Sequence, residues 1–432
     1  MKSKIVAIFT CMLIITLIIN VDGELILNNF NLPPPISVDM ILEESMFRRM
    51  SIREFTDDPI TDEELSTILW AAYGIRIDGK QTVAGINNTH AGIIYVLKKD
   101  AAYKYDPLNH SLIFYKEGDY RNIVGWQYEA PIQLGLCWNI DKADAYFGSA
   151  ELGQMGQNVY LMANALELGT VVCGQDPPAI EPLGIPHNEK GLVIMPLGHP
   201  IDEYNFVNKP LWISLLPKIE KSSISLTTAL IERIENTTID GELTRKVISH
   251  IMWSSYGFSN FLDKSNQEKN NLKRHRTVPS AHGYYPLKMY AIRSSGIYQY
   301  YPNILTKIYP VPVGFLGLPI LTYMLKIKNG DHREELANLF SENFIASAPL
   351  SIVSVLDINM TRPKNHDDLS GEALRKFWYY EAGSSLHNVL LEATALELSS
   401  NFLPIQNKFN MCSFLGLEQD YFEPLFVVTI GE

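Results

Sequence analysis

Residues 62–73, DEELSTILWAAY, place apolar side chains at helical spacing behind Thr61, with Glu64 three positions on, and so predict an amphipathic helix opened by a capping box. Two longer stretches, AELGQMGQNVYLMANALELG from Ala150 and EAGSSLHNVLLEATALEL from Glu381, are alanine-rich and apolar on most faces, the pattern of helices buried at a domain centre or a dimer-like interface. Around them lie short continuous apolar runs, GIIYVLKK, PIQLGLCWNI, GLVIMPLG, PLKMYAI, PLSIVSVLDI and PLFVVTIG, which read as buried strands. The predicted class is α+β, with helices packed around a small mixed or antiparallel sheet.

The same order of segments is written twice. Trp70-Ala71-Ala72-Tyr73-Gly74 is matched by Trp253-Ser254-Ser255-Tyr256-Gly257, 183 positions on, and Thr82-Val83 by Thr277-Val278, 195 on. Ala130-Pro131 pairs with Ala348-Pro349, Gln157-Asn158 with His387-Asn388, and Leu183-Gly184 with Leu415-Gly416, the offset growing to 232. An offset that only grows means one order with insertions in the second copy. The largest insertion, around Tyr309 to Leu325, is apolar and proline-broken; a lid, an inter-domain plug, a membrane-contacting loop and added packing between the halves all fit it. A length of 432 residues suits two cores, and the proline- and serine-bearing junction near Pro217 divides residues 24–217 from residues 218–432.

Composition narrows the function. A formal charge of −12 argues against nucleic acid, which needs clustered cations, but leaves a small anionic ligand open. The four cysteines show neither a CxxC pair nor metal-type spacing with histidine, so no metal site and no disulfide scaffold are expected. Residues 1–23 differ from the rest: Lys2 and Lys4 precede an uncharged apolar run from Ile5 to Val21, which predicts an export signal, cleaved or kept as an anchor, and places the protein outside the cytoplasm or on a membrane.

Chemistry concentrates in Met46–Phe55, where Arg49, Ser51 and Arg53 would project to one side of an extended segment and offer charge-assisted bonds to a phosphoryl group. No G-x-G-x-x-G follows a strand, so an independent dinucleotide domain is not expected. For proton transfer the residues offer two sets: His282, Tyr284 and Tyr285, or Tyr379, Tyr380 and Glu381.

The Arg49-Met50-Ser51-Ile52-Arg53 segment, followed by Phe55, Pro59-Ile60 and Glu63-Glu64-Leu65, resembles the N-terminal motif of the nitroreductase superfamily. Pro279-Ser280-Ala281-His282-Gly283-Tyr284-Tyr285-Pro286-Leu287 is similar to the loop of its SagB-like, thiazoline and oxazoline oxidase branch. Gln157-Asn158, the run from Ala165 to Gly174, Leu183–Pro186 and Pro196–Pro200 fall in the family's order. The resemblance implies two nitroreductase-like domains fused as a pseudo-homodimer, acting as a monomer. It implies FMN as cofactor, hydride transfer at flavin N5, and a small-molecule substrate and electron donor, with NAD(P)H as one donor. By the same resemblance the first half supplies Arg49, Met50, Ser51, Arg53, Cys173, Gly174 and Lys209 to the flavin. The second supplies Pro279, Ser280, Ala281, His282 and Gly283, with His282 and Tyr285 as catalytic residues. Each half lacks what the other keeps: the first has Thr82–Thr89 where the Pro-Ser loop belongs, and the second has Ile231–Thr237 where the phosphate motif belongs. One composite site is therefore expected, and its mirror image inactive; the alternative reading is a flavin-binding or non-catalytic scaffold in a membrane-associated assembly.

Overall fold

Two sheets carry the apolar runs, one in each half of the computed structural model, which describes residues 29–123, 128–174, 180–201, 206–207, 212–234, 236, 238–262, 274–302, 320–362 and 368–432. The first half runs β1 (Phe30–Asn31), α1 (Leu42–Arg48), α2 (Asp62–Tyr73), β2 (Gly92–Leu97), β3 (Ala101–Asp106), β4 (Ser111–Glu117), β5 (Ile132–Asn139), α3 (Ala145–Ala165), β6 (Gly169–Thr170), β7 (Cys173–Gly174) and β8 (Glu189–Gly198). The chain continues through β9 (Phe206–Val207), β10 (Trp212–Ser214), α4 (Leu226–Glu232), α5 (Arg245–Tyr256), β11 (Phe258–Leu262), β12 (Arg274–Arg276), β13 (Leu287–Arg293), β14 (Gly296–Tyr301) and β15 (Ile320–Asn329). It closes with α6 (Arg333–Phe340), α7 (Phe344–Ser347), β16 (Leu350–Asp357), α8 (Arg375–Ala395), β17 (Ser399–Pro404), α9 (Lys408–Leu415) and β18 (Phe422–Gly431). The class is α+β, as the patterning predicts.

The first sheet is ordered β1-β4-β3-β2-β5-β8-β6, with β7 also on β8, and the second β10-β15-β14-β13-β16-β18-β17. From β4 to β6 and from β15 to β17 the two orders are the same, so the repeat in the sequence is a repeat in space. The capping box forms as expected: Thr61 accepts from the Glu64 backbone N–H, and the Glu64 side chain accepts from that of Thr61.

The halves meet along α3 and α8, which cross at glycines. A Cβ on Gly153 would lie 1.9 Å from the Tyr380 carbonyl oxygen, and one on Gly383 would lie 1.8 Å from that of Ala150. Beyond the crossing, Gln157 Nε2 donates to Asn388 Oδ1 (2.9 Å) and His387 Nε2 bonds Asn158 Oδ1 (2.7 Å). Asn158 Nδ2 donates on to Ala71 O, and Asn388 Nδ2 to Ser254 O, 183 positions later. The bonds are related by a pseudo-twofold axis. Burial holds the His387 pKa well below its ordinary value, so this ring stays neutral.

The halves also interleave. β9 and β10 precede Pro217 yet pair with β11 and, in parallel, with β15, whereas Leu226, Ala229 and Leu230 of α4 enter the apolar core that holds Leu42 and Met46 of α1. Leu42 N donates to Ile224 O and Leu226 N to Met40 O. A cut at Pro217 thus runs through apolar cores that both sides share, and α1, which leads into Arg49, is braced by the second half. The first part of the insertion around Tyr309 lies outside the described residues, and its end forms the start of β15. The apolar N-terminal run also lies outside them; among the described residues no helix is long and apolar enough to cross a membrane.

Candidate active site

The chain leaves α1 at Arg49 and straightens: Ile52 N donates to Thr170 O and Thr56 N to His199 O, so residues 50–56 follow the rim of the first sheet. Arg49 is 2% exposed. Its Nε donates to the Arg276 carbonyl oxygen of the second half (2.7 Å), its guanidinium lies 5.0 Å from the centre of the Tyr160 ring, and its Nη1 is buried without a partner among the described residues. Ser51 Oγ bonds the same Tyr160 hydroxyl at 3.1 Å, and that hydroxyl accepts from Val172 N. Arg53 is half-buried and its Nη1 donates to Ser51 O (3.3 Å). Arg49 and Ser51 thus converge on one tyrosine, with Arg53 alongside. Met50 instead packs its side chain with Ile52, Phe55 and Ala130, leaving only its backbone to face the segment's polar side.

β7 brings Cys173 and Gly174 to β8. Burial pushes the Cys173 thiol up to about 12, which removes it as a nucleophile. Gly174 is exposed, and a Cβ there would lie 2.6 Å from Cε1 of Phe377 in the second half. Only a glycine lets the backbone come this close to that ring while leaving its surface open.

The second half contributes the Pro279–Tyr285 loop. Ser280 Oγ donates to Glu381 Oε2 (2.5 Å) and accepts from Tyr285 N (2.9 Å), while the Tyr256 hydroxyl donates to Glu381 Oε1. His282, Gly283 and Tyr285 all have positive φ, near +51°, +71° and +50°, so the bond network holds the loop in a conformation that side chains resist. Tyr285 faces inward, its ring 4.4 Å from the Arg276 guanidinium; His282 is exposed beside Tyr284. The two proposed catalytic residues are therefore placed apart, and Tyr285 is the one that joins the Arg49 cluster. Lys209 lies outside the described residues.

Sequence reasoning did not pick out Arg276 or Tyr160, and gave Glu381 only in its second proton-transfer set. Arg276 is buried between the rings of Tyr256 (4.6 Å), Phe258 (5.1 Å) and Tyr285, its Nε without a partner among the described residues. Its position directly before Thr277-Val278 was the available signal. Glu381 is fully buried; burial pushes its carboxyl up to about 7, against the opposing pull of its Ser280 and Tyr256 bonds and the charges of Arg276 and Arg49.

A group whose folded pKa exceeds its ordinary 4.5 favours the folded state most below that value and loses the contribution as pH rises through about 7. Glu381 should therefore withdraw about 3 kcal/mol of stability over this window. Urea midpoints between pH 5 and 8 should fall more steeply for the native chain than for Glu381→Gln; parallel slopes would contradict the assignment.

Glu43, His250 and Glu392 form the one cluster of possible metal ligands found among the described residues. His250 Nε2 accepts from Glu220 N (3.2 Å), which puts the ring proton on Nδ1, and this bonds Glu392 Oε1 at 2.8 Å. Ser222 N and Oγ both donate to Glu43. With the ring lone pair already engaged, His250 ties α5 to Glu392 of α8, while Glu43 of α1 is held by Ser222.

On the mirror side Arg233 takes the place of Arg49. It donates from Nη1 to Thr82 O and from Nη2 to Gln81 O (3.2 Å). Glu151 takes that of Glu381, accepting from Tyr73 OH (2.9 Å) and from Ala91 N (2.7 Å), and Gly85 stands where the second half has Ser280.

Known proteins match this chain across both halves. The family model described as Nitroreductase family matches residues 46–199 and 240–432. A candidate nitroreductase of Methanocaldococcus jannaschii is 34% identical over 188 residues, which are 37% of this chain and 92% of that protein. A crystal structure of a candidate nitroreductase from Anabaena variabilis superposes with a TM-score of 0.63 at 13% identity, covering 94% of this chain and 93% of that one, and so shares the fold across both halves. The NADPH:FMN oxidoreductase of Vibrio harveyi, complexed with NAD+, matches 39% of this chain and 72% of its own at 25% identity, with a TM-score of 0.29.

Proposed function

Because the chain belongs to the nitroreductase family, a family of oxidoreductases that generally depend on flavin, we propose that it is an FMN-dependent oxidoreductase of the SagB-like type with a single flavin site between its halves. The observation that carries this reading is a pair of buried cationic donors without partners among the described residues, Arg49 Nη1 and Arg276 Nε, on side chains from opposite halves whose charges both act on Glu381 and Tyr285. Buried donors without acceptors cost free energy, and a bound anion would satisfy them.

In this reading Arg49, Ser51 and Arg53 would hold the phosphate, and the Pro279–Gly283 loop of the second half and the backbone at Gly174 would take up the rest of the cofactor. FMN, when bound, supplies two-electron hydride chemistry at N5. The protein's own part is positional: Glu381 fixes Ser280, Ser280 fixes the amide of Tyr285, and Tyr285, whose hydroxyl burial keeps protonated, holds a proton beside the site. A small-molecule substrate and an electron donor such as NAD(P)H would visit in turn. The chain would act as a monomer, exported or membrane-anchored through its N-terminal run.

The test is a visible spectrum of the purified protein with a flavin count. One FMN per chain is expected; a folded colourless protein would sink the proposal, and two FMN per chain would sink the single site. Ser280→Ala leaves the Glu381 carboxyl short of a donor at a cost of about 1–3 kcal/mol, and flavin affinity should fall roughly tenfold. Flavin titration of that variant checks this.

A further inference from the structure

The two halves differ in how they fill one corresponding space. In the second half the Arg276 guanidinium is sandwiched by Tyr256 and Tyr285, with Tyr300 buried nearby. The repeat offsets place Gln81, Tyr73, His90 and Tyr105 at these four positions in the first half. Glutamine is shorter than arginine and imidazole smaller than phenol, and where the second half is plugged the first half holds a cavity of about 670 Å³, lined by all four of these residues.

We propose that this cavity is a second ligand site, separate from the flavin site, for a small organic anion with an apolar body. Its volume is in the range of small-molecule sites, roughly 300–1,000 Å³. Its walls include Val83, Ile94 and the Tyr105 ring, and its cations are Lys80, Lys104, Lys142 and Arg233 against the single carboxylate of Asp106. Two of these cations are engaged: Lys104 bonds Glu189 (2.5 Å), and Arg233 the carbonyls of Gln81 and Thr82. Lys80 and Lys142 are exposed, and Lys142 Nζ reaches only the His90 carbonyl, at 3.4 Å. The Asp106 oxygens are occupied by Leu108 N and Asn109 Nδ2. A carboxylate at the lysine end with an arene or alkyl body along the apolar wall satisfies both ends of this cavity.

The probe is 2-naphthoate, which a hydride donor does not reduce, titrated by equilibrium dialysis into the full-length, flavin-loaded protein. Saturable binding of one naphthoate per chain is expected, at least tenfold tighter than that of neutral 2-naphthylmethanol. Gln81→Arg with His90→Tyr rebuilds the plug of the second half and should abolish binding. Lys80→Glu with Lys142→Glu, both exposed, should weaken it at least tenfold with unchanged circular dichroism and flavin content, which keeps the test decisive if the plugged variant fails to fold. No saturable binding, equal affinity for the neutral probe, full affinity in the lysine variant, or displacement by added FMN would each overturn the proposal.

Discussion

Arg49→Met should purify as folded protein depleted of flavin, its affinity for added FMN reduced by at least tenfold. The methionine keeps most of the stem against Tyr160 but removes the donor that reaches Arg276 O across the halves and the orphaned Nη1. The Nε bond exists without flavin, so only the Nη1 donor counts towards affinity; a charge-assisted bond of about 1.5–3 kcal/mol corresponds to a loss of at least tenfold, at about 1.4 kcal/mol per tenfold. The control is Arg233→Met. It breaks the two carbonyl bonds of the mirror residue and should lower the melting temperature while leaving the FMN count unchanged. Fluorescence titration with FMN separates the two, and equal loss of flavin in both would contradict a single site.

The second large effect falls on the crossing of α3 and α8. Gly383→Leu places a Cβ inside the Ala150 carbonyl, so the helices must separate and the reciprocal Gln157–Asn388 and Asn158–His387 bonds break with them. Overpacking of a core side chain costs about 1–3 kcal/mol; a clash of backbone with backbone, plus several buried amides left unpaired, exceeds this and consumes much of a typical stability of 5–15 kcal/mol. The variant should be insoluble or melt at least about 10 °C lower. Gly371→Leu, at a glycine whose added Cβ meets nothing within 4 Å, should behave as the native chain in the same thermal scan.

How much of this was legible in the sequence depended on whether a feature was periodic. The strands and the capped helix are local patterns, and they fold where the pattern puts them. Gln157-Asn158 and His387-Asn388 could be aligned as a repeat, but not read as partners of each other, because the pairing needs the twofold that only the packed helices define. The interleaving around Pro217 was hidden for the same reason: a boundary read from prolines and serines marks a flexible stretch of chain and cannot report which core takes up the residues on either side. In the site, Arg49, Ser51, Gly174 and Ser280 were visible as motif residues. Arg276 and Tyr160 were not, since a cation between rings and a hydroxyl shared by Ser51 and Val172 arise from residues far apart in sequence. His282 and Tyr285, three positions apart on one loop, point to different surroundings because Gly283 and the positive φ values turn the chain between them.

The reciprocal bonds also set an order of events on the ribosome. The paired side chains on α3 and α8 are 229 and 231 residues apart. At synthesis rates of about 5–20 residues per second, α3 waits roughly ten to fifty seconds for its partner. Through that interval its glycine seam and the amides of Gln157 and Asn158 have nothing to pack against. A nascent chain stalled between the halves thus carries an unpaired α3 seam until Asn388 emerges.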